Sequence, residues 1–245
     1  TNSLNTAVGY DAGGAVTIGT ANTLIGSTAG DALTEGASNA VLGRDALSAD
    51  TKGSRAVAIG EAALQAQNFT SATENYNVAI GYAAGANVTT GTRNNLIGGQ
   101  AGDALTDADF NTAIGYSLSI DTLGSRSTAV GSHTLINQNF TSATDTYNTV
   151  VGYAAGKEVT TGVNNTIMGG LAGDEITTGA NNVCLGFQAG GGMTTGDSNV
   201  LLGSGTARIA ALTGDENIVI GDSAGEQMTS ANNNIFIGLS TGVSS

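Results

Sequence analysis

Proline and tryptophan are absent from this 245-residue chain, and it has one cysteine and one histidine. Without proline, the 38 glycines cannot belong to a collagen triple helix, which needs both residues in a strict three-residue period. A lone Cys184 closes no intrachain disulfide. His133 by itself assembles neither a Ser-His-Asp triad nor a zinc site, so no enzyme activity and no cofactor are expected. Aromatics make up 4%, too few for an interior packed in three dimensions around large rings. Charged residues are 11%, against roughly 25% in an ordinary soluble domain. Seven Lys and Arg against 20 Asp and Glu give a net charge of −13, which repels nucleic acid and anionic lipid. No apolar run approaches the ~18 residues of a membrane span, so no membrane insertion is expected. Disorder is a poor reading as well, because 40% hydrophobic residues lie evenly along the chain.

What is there is one repeat. Asn-x-apolar-apolar-Gly recurs fourteen times, closing on Gly9, Gly26, Gly43, Gly60, Gly81, Gly98, Gly115, Gly131, Gly152, Gly169, Gly186, Gly203, Gly221 and Gly238. Most intervals are 17 residues, and two are 21. The opening Asn column is Asn5, Asn22, Asn39, Asn77, Asn94, Asn111, Asn148, Asn165, Asn182, Asn199, Asn217 and Asn234, with Ala56 and Ser127 in the remaining two coils. After the glycine comes a small residue (Ala29, Ala84), then often a second Gly, then a lone apolar residue (Leu33, Val88, Val159), then Thr-Thr-Gly or a variant. This reads as strand, glycine turn, shorter strand and a Gly/Asn turn, since Gly and Asn supply positive φ and branched residues favour strands. The expected fold is all-β, a parallel β-solenoid (β-roll) of about 14 coils with 17-residue repeats. At a strand spacing of about 4.8 Å it would run to roughly 65 Å. Residues 1–245 form a single array, read as a segment of a longer fibre protein.

Both positions before the closing glycine are apolar. The first column runs Val8, Ile25, Leu42 and so on to Ile237; the second runs Ala7, Leu24, Val41 and so on to Phe236. Neighbouring strand residues face opposite ways, so one column fills the coil and the other points out. An unbroken outward apolar stripe is an aggregation liability in a monomer. Three chains around one axis would bury it, with the second column as the seam, so a homotrimer is expected, intertwined or side by side.

A 71-residue period overlies the short one. Gln67–Thr73 (QNFTSAT) returns verbatim as Gln138–Thr144, each copy inside a 21-residue coil. Loops inserted into a solenoid repeat commonly lie on its exposed, binding face. At this point NTAVG (Asn5–Gly9), NVAIG (Asn77–Gly81) and SRAVAIG (Ser54–Gly60) resemble the head repeats of YadA-type trimeric autotransporter adhesins. VTTGVNNTIMGG (Val159–Gly170) and GYAAG (Gly81–Gly85, Gly152–Gly156) resemble repeats of bacteriophage tail fibres. The 17-residue period departs from the roughly fourteen of the adhesin heads and favours the phage fibre. The resemblance implies a trimeric, virion-borne host-attachment fibre whose partners are its own copies and a host cell-surface glycan or protein receptor. Its alternative is a bacterial surface adhesin.

Among individual residues, Phe69, Tyr76, Phe140 and Tyr147 in and beside the bulges are the receptor-contact candidates, against a plain role in plugging the bulge. The Asn column is read as a structural amide ladder rather than a ligand strip. Tyr10, Tyr82, Tyr116, Tyr153 and Phe187 follow the glycine and are taken to cover its apolar edge. Asp107-x-Asp109-x-Asn111 opens like a calcium loop but has Thr112 at the sixth place and Leu118 at the twelfth, so no metal is assigned. Asp31, Asp103, Asp174 and Asp222 are read as solvated turn acids, and Cys184 as a small buried hydrophobe. Thr pairs such as Thr89–Thr90 and Thr160–Thr161 raise an ice-binding alternative, which the break at Thr106–Asp107 opposes.

Overall fold

The computed structural model describes residues 3–209 and 211–242. Among them there is no helix, and every coil contributes one three-residue parallel strand, the x-apolar-apolar of the motif. The fold is a parallel β-solenoid of fourteen coils, which divides into two compact units. The first runs to Ser125 and includes Thr141–Ala143; the second takes Arg126–Phe140 and the chain from Thr144 onward.

In the first unit the strands Thr6–Val8, Thr23–Ile25, Ala40–Leu42, Val57–Ile59, Val78–Ile80, Asn95–Ile97 and Thr112–Ile114 pair in sequence order and in register. In the second, Thr128–Val130, Thr149–Val151, Thr166–Met168, Val183–Leu185, Val200–Leu202, Ile218–Ile220 and Ile235–Ile237 do the same. Register is pinned because equivalent residues stack, Ala79 on Leu96 and Ile167 on Cys184. A one-residue slip would turn the inward column out.

The interior of a coil is small. It is filled by the residue two before the closing glycine (Leu24, Val41, Leu96, Val150, Ile167, Leu201), the small residue after the turn (Ala29, Ala84, Ala155) and the lone apolar residue (Leu33, Val88, Val159, Ile176), all buried. Cys184 belongs to this set. The second apolar column, expected to form the seam between chains, is therefore the lumen column. The residue directly before the glycine faces outward instead, because it shares a strand face with the exposed first residue of the strand.

The shorter second strand is also corrected. The second half of most coils is turns and bends, not extended chain; a short second strand forms at Gly53–Ser54, which pairs in parallel with Thr73–Glu74 of the following long coil. Residues such as Asp11, Thr28, Asp45 and Ala83 sit at positive φ two places after the glycine, and a left-handed residue bends a strand away. Bonding between coils continues nonetheless, as in Gly85 N donating to Ala101 O and Thr89 N to Thr106 O. The closing glycine is obligatory: Gly169 has φ +139°, and a Cβ there would run into the Gly186 carbonyl of the next coil.

Candidate functional site

A second left-handed corner lies directly before the ladder position, and here glycine is never used. Leu4, Ala21, Ser38, Arg55, Tyr76, Arg93, Phe110, Arg126, Tyr147, Asn164, Asn181, Ser198, Glu216 and Asn233 all have φ between 50° and 66°. Such a backbone costs on the order of 1 kcal/mol or more per non-Gly residue. Hydrogen bonds of the following Asn offset that cost. Asn182 is fully buried: its N–H donates to Asn165 Oδ1 at 3.0 Å, and its Nδ2 donates to Gly196 O at 2.8 Å. The same pair of bonds recurs at Asn22, Asn94, Asn165, Asn199 and Asn217. Asn39, Asn111 and Asn234 also donate their backbone N–H to the preceding Asn. Asn5 donates to Gly19 O. Each side chain thus joins one coil to the next and closes the turn that follows it.

The ladder is interrupted where Ala56 and Ser127 replace Asn, and the inserted segments meet the interruption. Gln67 is fully buried; its Nε2 donates to Asp50 Oδ2 at 2.7 Å and its Oε1 accepts from Asn77 Nδ2 at 2.8 Å. Asn77 N–H, with no amide acceptor at Ala56, donates to Asn75 Oδ1. In the second unit Gln138 Nε2 donates to Ser127 Oγ, Gln138 Oε1 accepts from Asn148 Nδ2, and Ser127 Oγ lies 2.7 Å from Thr146 Oγ1. Asp50 is buried and accepts from Gly53 N–H, Phe69 N–H and Gln67. Burial outweighs these bonds and holds its carboxyl above the ordinary value. Gln67 and Gln138 open the repeated QNFTSAT segment, but their role in the ladder was not read from it; Asp50 and Asp121 were not singled out, although the shared Asp-Thr-x-Gly-Ser-Arg before each gap (Asp50–Arg55, Asp121–Arg126) was the available signal.

Of the bulge residues, Phe69 and Phe140 are 6% and 7% exposed, tucked in rather than presented. Tyr76 and Tyr147 are 41% and 55% exposed and lie at the left-handed corner of their coils. The exposed tips are Thr70–Ala72 and Thr141–Ala143. Tyr10, Tyr82, Tyr116, Tyr153 and Phe187 are all exposed.

The acids of the calcium-like run do not converge. Asp107 accepts from the Thr89 and Thr90 hydroxyls, Asp109 accepts from Thr92, and Asn111 belongs to the ladder. Burial raises the carboxyls of Asp31, Asp103 and Asp174 above their ordinary value. Among the described residues no group of three or more His, Cys, Asp or Glu gathers in metal-binding range. In the pairs at Thr89, Thr160 and Thr177 the first hydroxyl bonds to the next coil, Thr160 Oγ1 to Thr177 O for example, and the second Thr is exposed.

The outer face of the strands is a repeated, uncharged surface. In each unit it consists of two columns, the first strand residue (Thr6, Thr23, Ala40, Val57, Val78, Asn95, Thr112 in the first unit) and the residue before the glycine (Val8 to Ile114). Neither column holds a charged residue in any of the fourteen coils. The fold and this face define the class: the chain is a β-solenoid repeat protein. No family model, curated protein or solved structure matches it.

Proposed function

We propose that the chain is a structural segment of a homotrimeric fibre, a phage tail fibre in the first instance, that spaces or presents host attachment and catalyses nothing. The observation that carries this reading is the uncharged outer strand face. A net charge of −13 is excluded from that face and concentrated elsewhere, the pattern of a surface kept for like copies. Fully burying one exposed Val, Ile, Leu or Met side chain is worth about 1.5–3 kcal/mol, and each unit offers seven positions of this apolar column, some of them already half-buried. The period and motifs support a fibre over an adhesin head, as the resemblance implies.

Light scattering on a sizing column tests it. The expected mass is three times the 24.0 kDa of one chain. Ile97→Asp, which places a charge in the outward column, should reduce the mass to one chain while leaving the coils folded. A soluble species of 24.0 kDa for the unaltered chain overturns the proposal.

A further inference from the structure

Four successive coils of the first unit carry Arg55, Tyr76, Arg93 and Phe110 at the left-handed corner before the ladder position, where the backbone turns each side chain outward. They interleave as cation and ring. The Arg55 guanidinium lies 5.6 Å from the Tyr76 centroid, Arg93 lies 5.6 Å from Tyr76 and 5.4 Å from Phe110. In the second unit Arg126 sits 5.9 Å from Tyr147 at the same register. Nothing in the solenoid requires this alternation, since Ala, Ser, Asn and Glu fill the same corner elsewhere.

Arg93 is distinct within the set. Six of the seven Lys and Arg side chains make an ion pair: Arg44 with Asp45 and Glu61, Lys52 with Glu35, Arg55 with Glu74, Arg126 with Asp145, Lys157 with Glu158, Arg208 with Glu226. Among the described residues Arg93 alone has none. The acids near it in sequence, Asp107 and Asp109, are turned to threonines. Its guanidinium thus lies between two rings on an exposed side chain, in a protein with almost three acids for every base.

We infer that this corner column is a binding strip for an acidic glycan, with Arg93 taking a carboxylate or sulfate of the chain. A planar fork pre-set by stacking suits bidentate recognition of such groups and loses little entropy on binding. The exposed parts of Tyr76 and Phe110 offer apolar surface to sugar C–H faces on either side. The strip is one side chain wide, so it suits a linear ligand and not a protein, which needs about 800 Å² on each partner. The net charge of −13 disfavours a densely charged nucleic acid, whereas a glycan with sparse anionic groups meets less repulsion. The inference goes beyond the fibre reading and stands without the trimer, because all four residues belong to one unit of one chain.

Titration calorimetry of the whole chain at low ionic strength, with hyaluronan and unsulfated chondroitin oligosaccharides, each with one carboxylate per disaccharide, and neutral dextran, tests it. Both acidic glycans should bind and dextran should not. Arg93→Gln should weaken binding about tenfold, the loss of one charge-assisted fork. Arg93→Lys, which keeps the charge without the fork, should lose part of it, and it decides the matter if the Gln variant fails to fold. Arg208→Gln, which removes an ion-paired arginine of the second unit, should bind as the parent does. The proposal falls if neither acidic glycan binds, if Arg93→Gln binds unchanged, if Arg208→Gln loses as much, or if an oligodeoxynucleotide binds more tightly than either glycan. A monomer by light scattering that binds the glycans removes the trimer alone; a trimer that does not bind them removes this strip alone.

Discussion

The 17-residue coils and the 21-residue coils solve one problem in two ways. In a regular coil the Asn side chain is bonded by its own copy, one coil away, so the sequence needs no further instruction. In the coil closing at Gly81 the copy is missing at Ala56, and three other residues supply what it supplied: Asn75 takes the N–H of Asn77, and Gln67 links Asn77 to Asp50. Gln138, Ser127 and Thr146 repeat the arrangement with hydroxyls in the second unit. The insertion and the loss of Asn therefore go together in both places. A repeat can drop a ladder residue only where an added segment delivers buried donors and acceptors, since an unpartnered buried polar group costs about 1–3 kcal/mol.

The largest expected effect removes the feature the two kinds of coil share. Gly169→Ala in a regular coil and Gly60→Ala at the head of a long one should each cost more than about 3 kcal/mol, combining positive φ with a clash against the next carbonyl. Gly99→Ala, with open space around it, should leave the thermal midpoint unchanged. If Gly60→Ala were tolerated, the long coil would have a different corner from the regular ones.

Next come the two kinds of ladder. Asn165→Ala leaves Asn182 N–H and Gly179 O without partners, about 2–4 kcal/mol by denaturant unfolding. Gln67→Leu should cost less, about 2 kcal/mol, because Asn77 Nδ2 keeps Gly91 O. Equal costs would mean that the inserted Gln is as strongly coupled as a ladder Asn.

A smaller effect distinguishes Asp50, which the regular coils lack. Its folded pKa is raised above the ordinary 3.8 by burial, so its contribution to stability is complete below the unfolded value and is lost as pH rises through the folded one. The stability of the parent relative to Asp50→Asn should therefore increase on acidification from neutral toward about pH 4. A flat difference would place the Asp50 carboxylate in contact with water. Smallest of all is the response of Cys184, whose thiol burial pushes up to about 12. It should not react with a thiol reagent in the native protein and should react fully in denaturant, which makes it a reporter for opening of a regular coil.

Much of this was legible in the chain. Period, coil count, strand position and the identity of the Asn column follow from spacing alone, because a stacked repeat places like residues on like. Two points were not legible. Both positions before Gly are apolar, so hydrophobicity could not say whether Leu96 or Ile97 faces in; only the path of the coil turns Leu96 to the lumen. The second half of the repeat carries strand-forming residues such as Val88 and Thr89, yet left-handed corners at Ala83 and Gly85 keep it out of a strand.

The candidate sites divide in the same way. Phe69 and Tyr76 looked alike as aromatics near a bulge, but one is anchored inward by its N–H to Asp50 and the other is turned out by a positive φ. By itself the sequence determined that this protein is a solenoid with a fixed repeat and a bonded amide column, since those depend on local chemistry recurring at one period. Only the tertiary structure decided which apolar column is outward, what fills the gaps at Ala56 and Ser127, and that Arg93 stands unpaired between two rings. Each of these depends on which residues of different coils meet, and the coil's corners set that, not its composition.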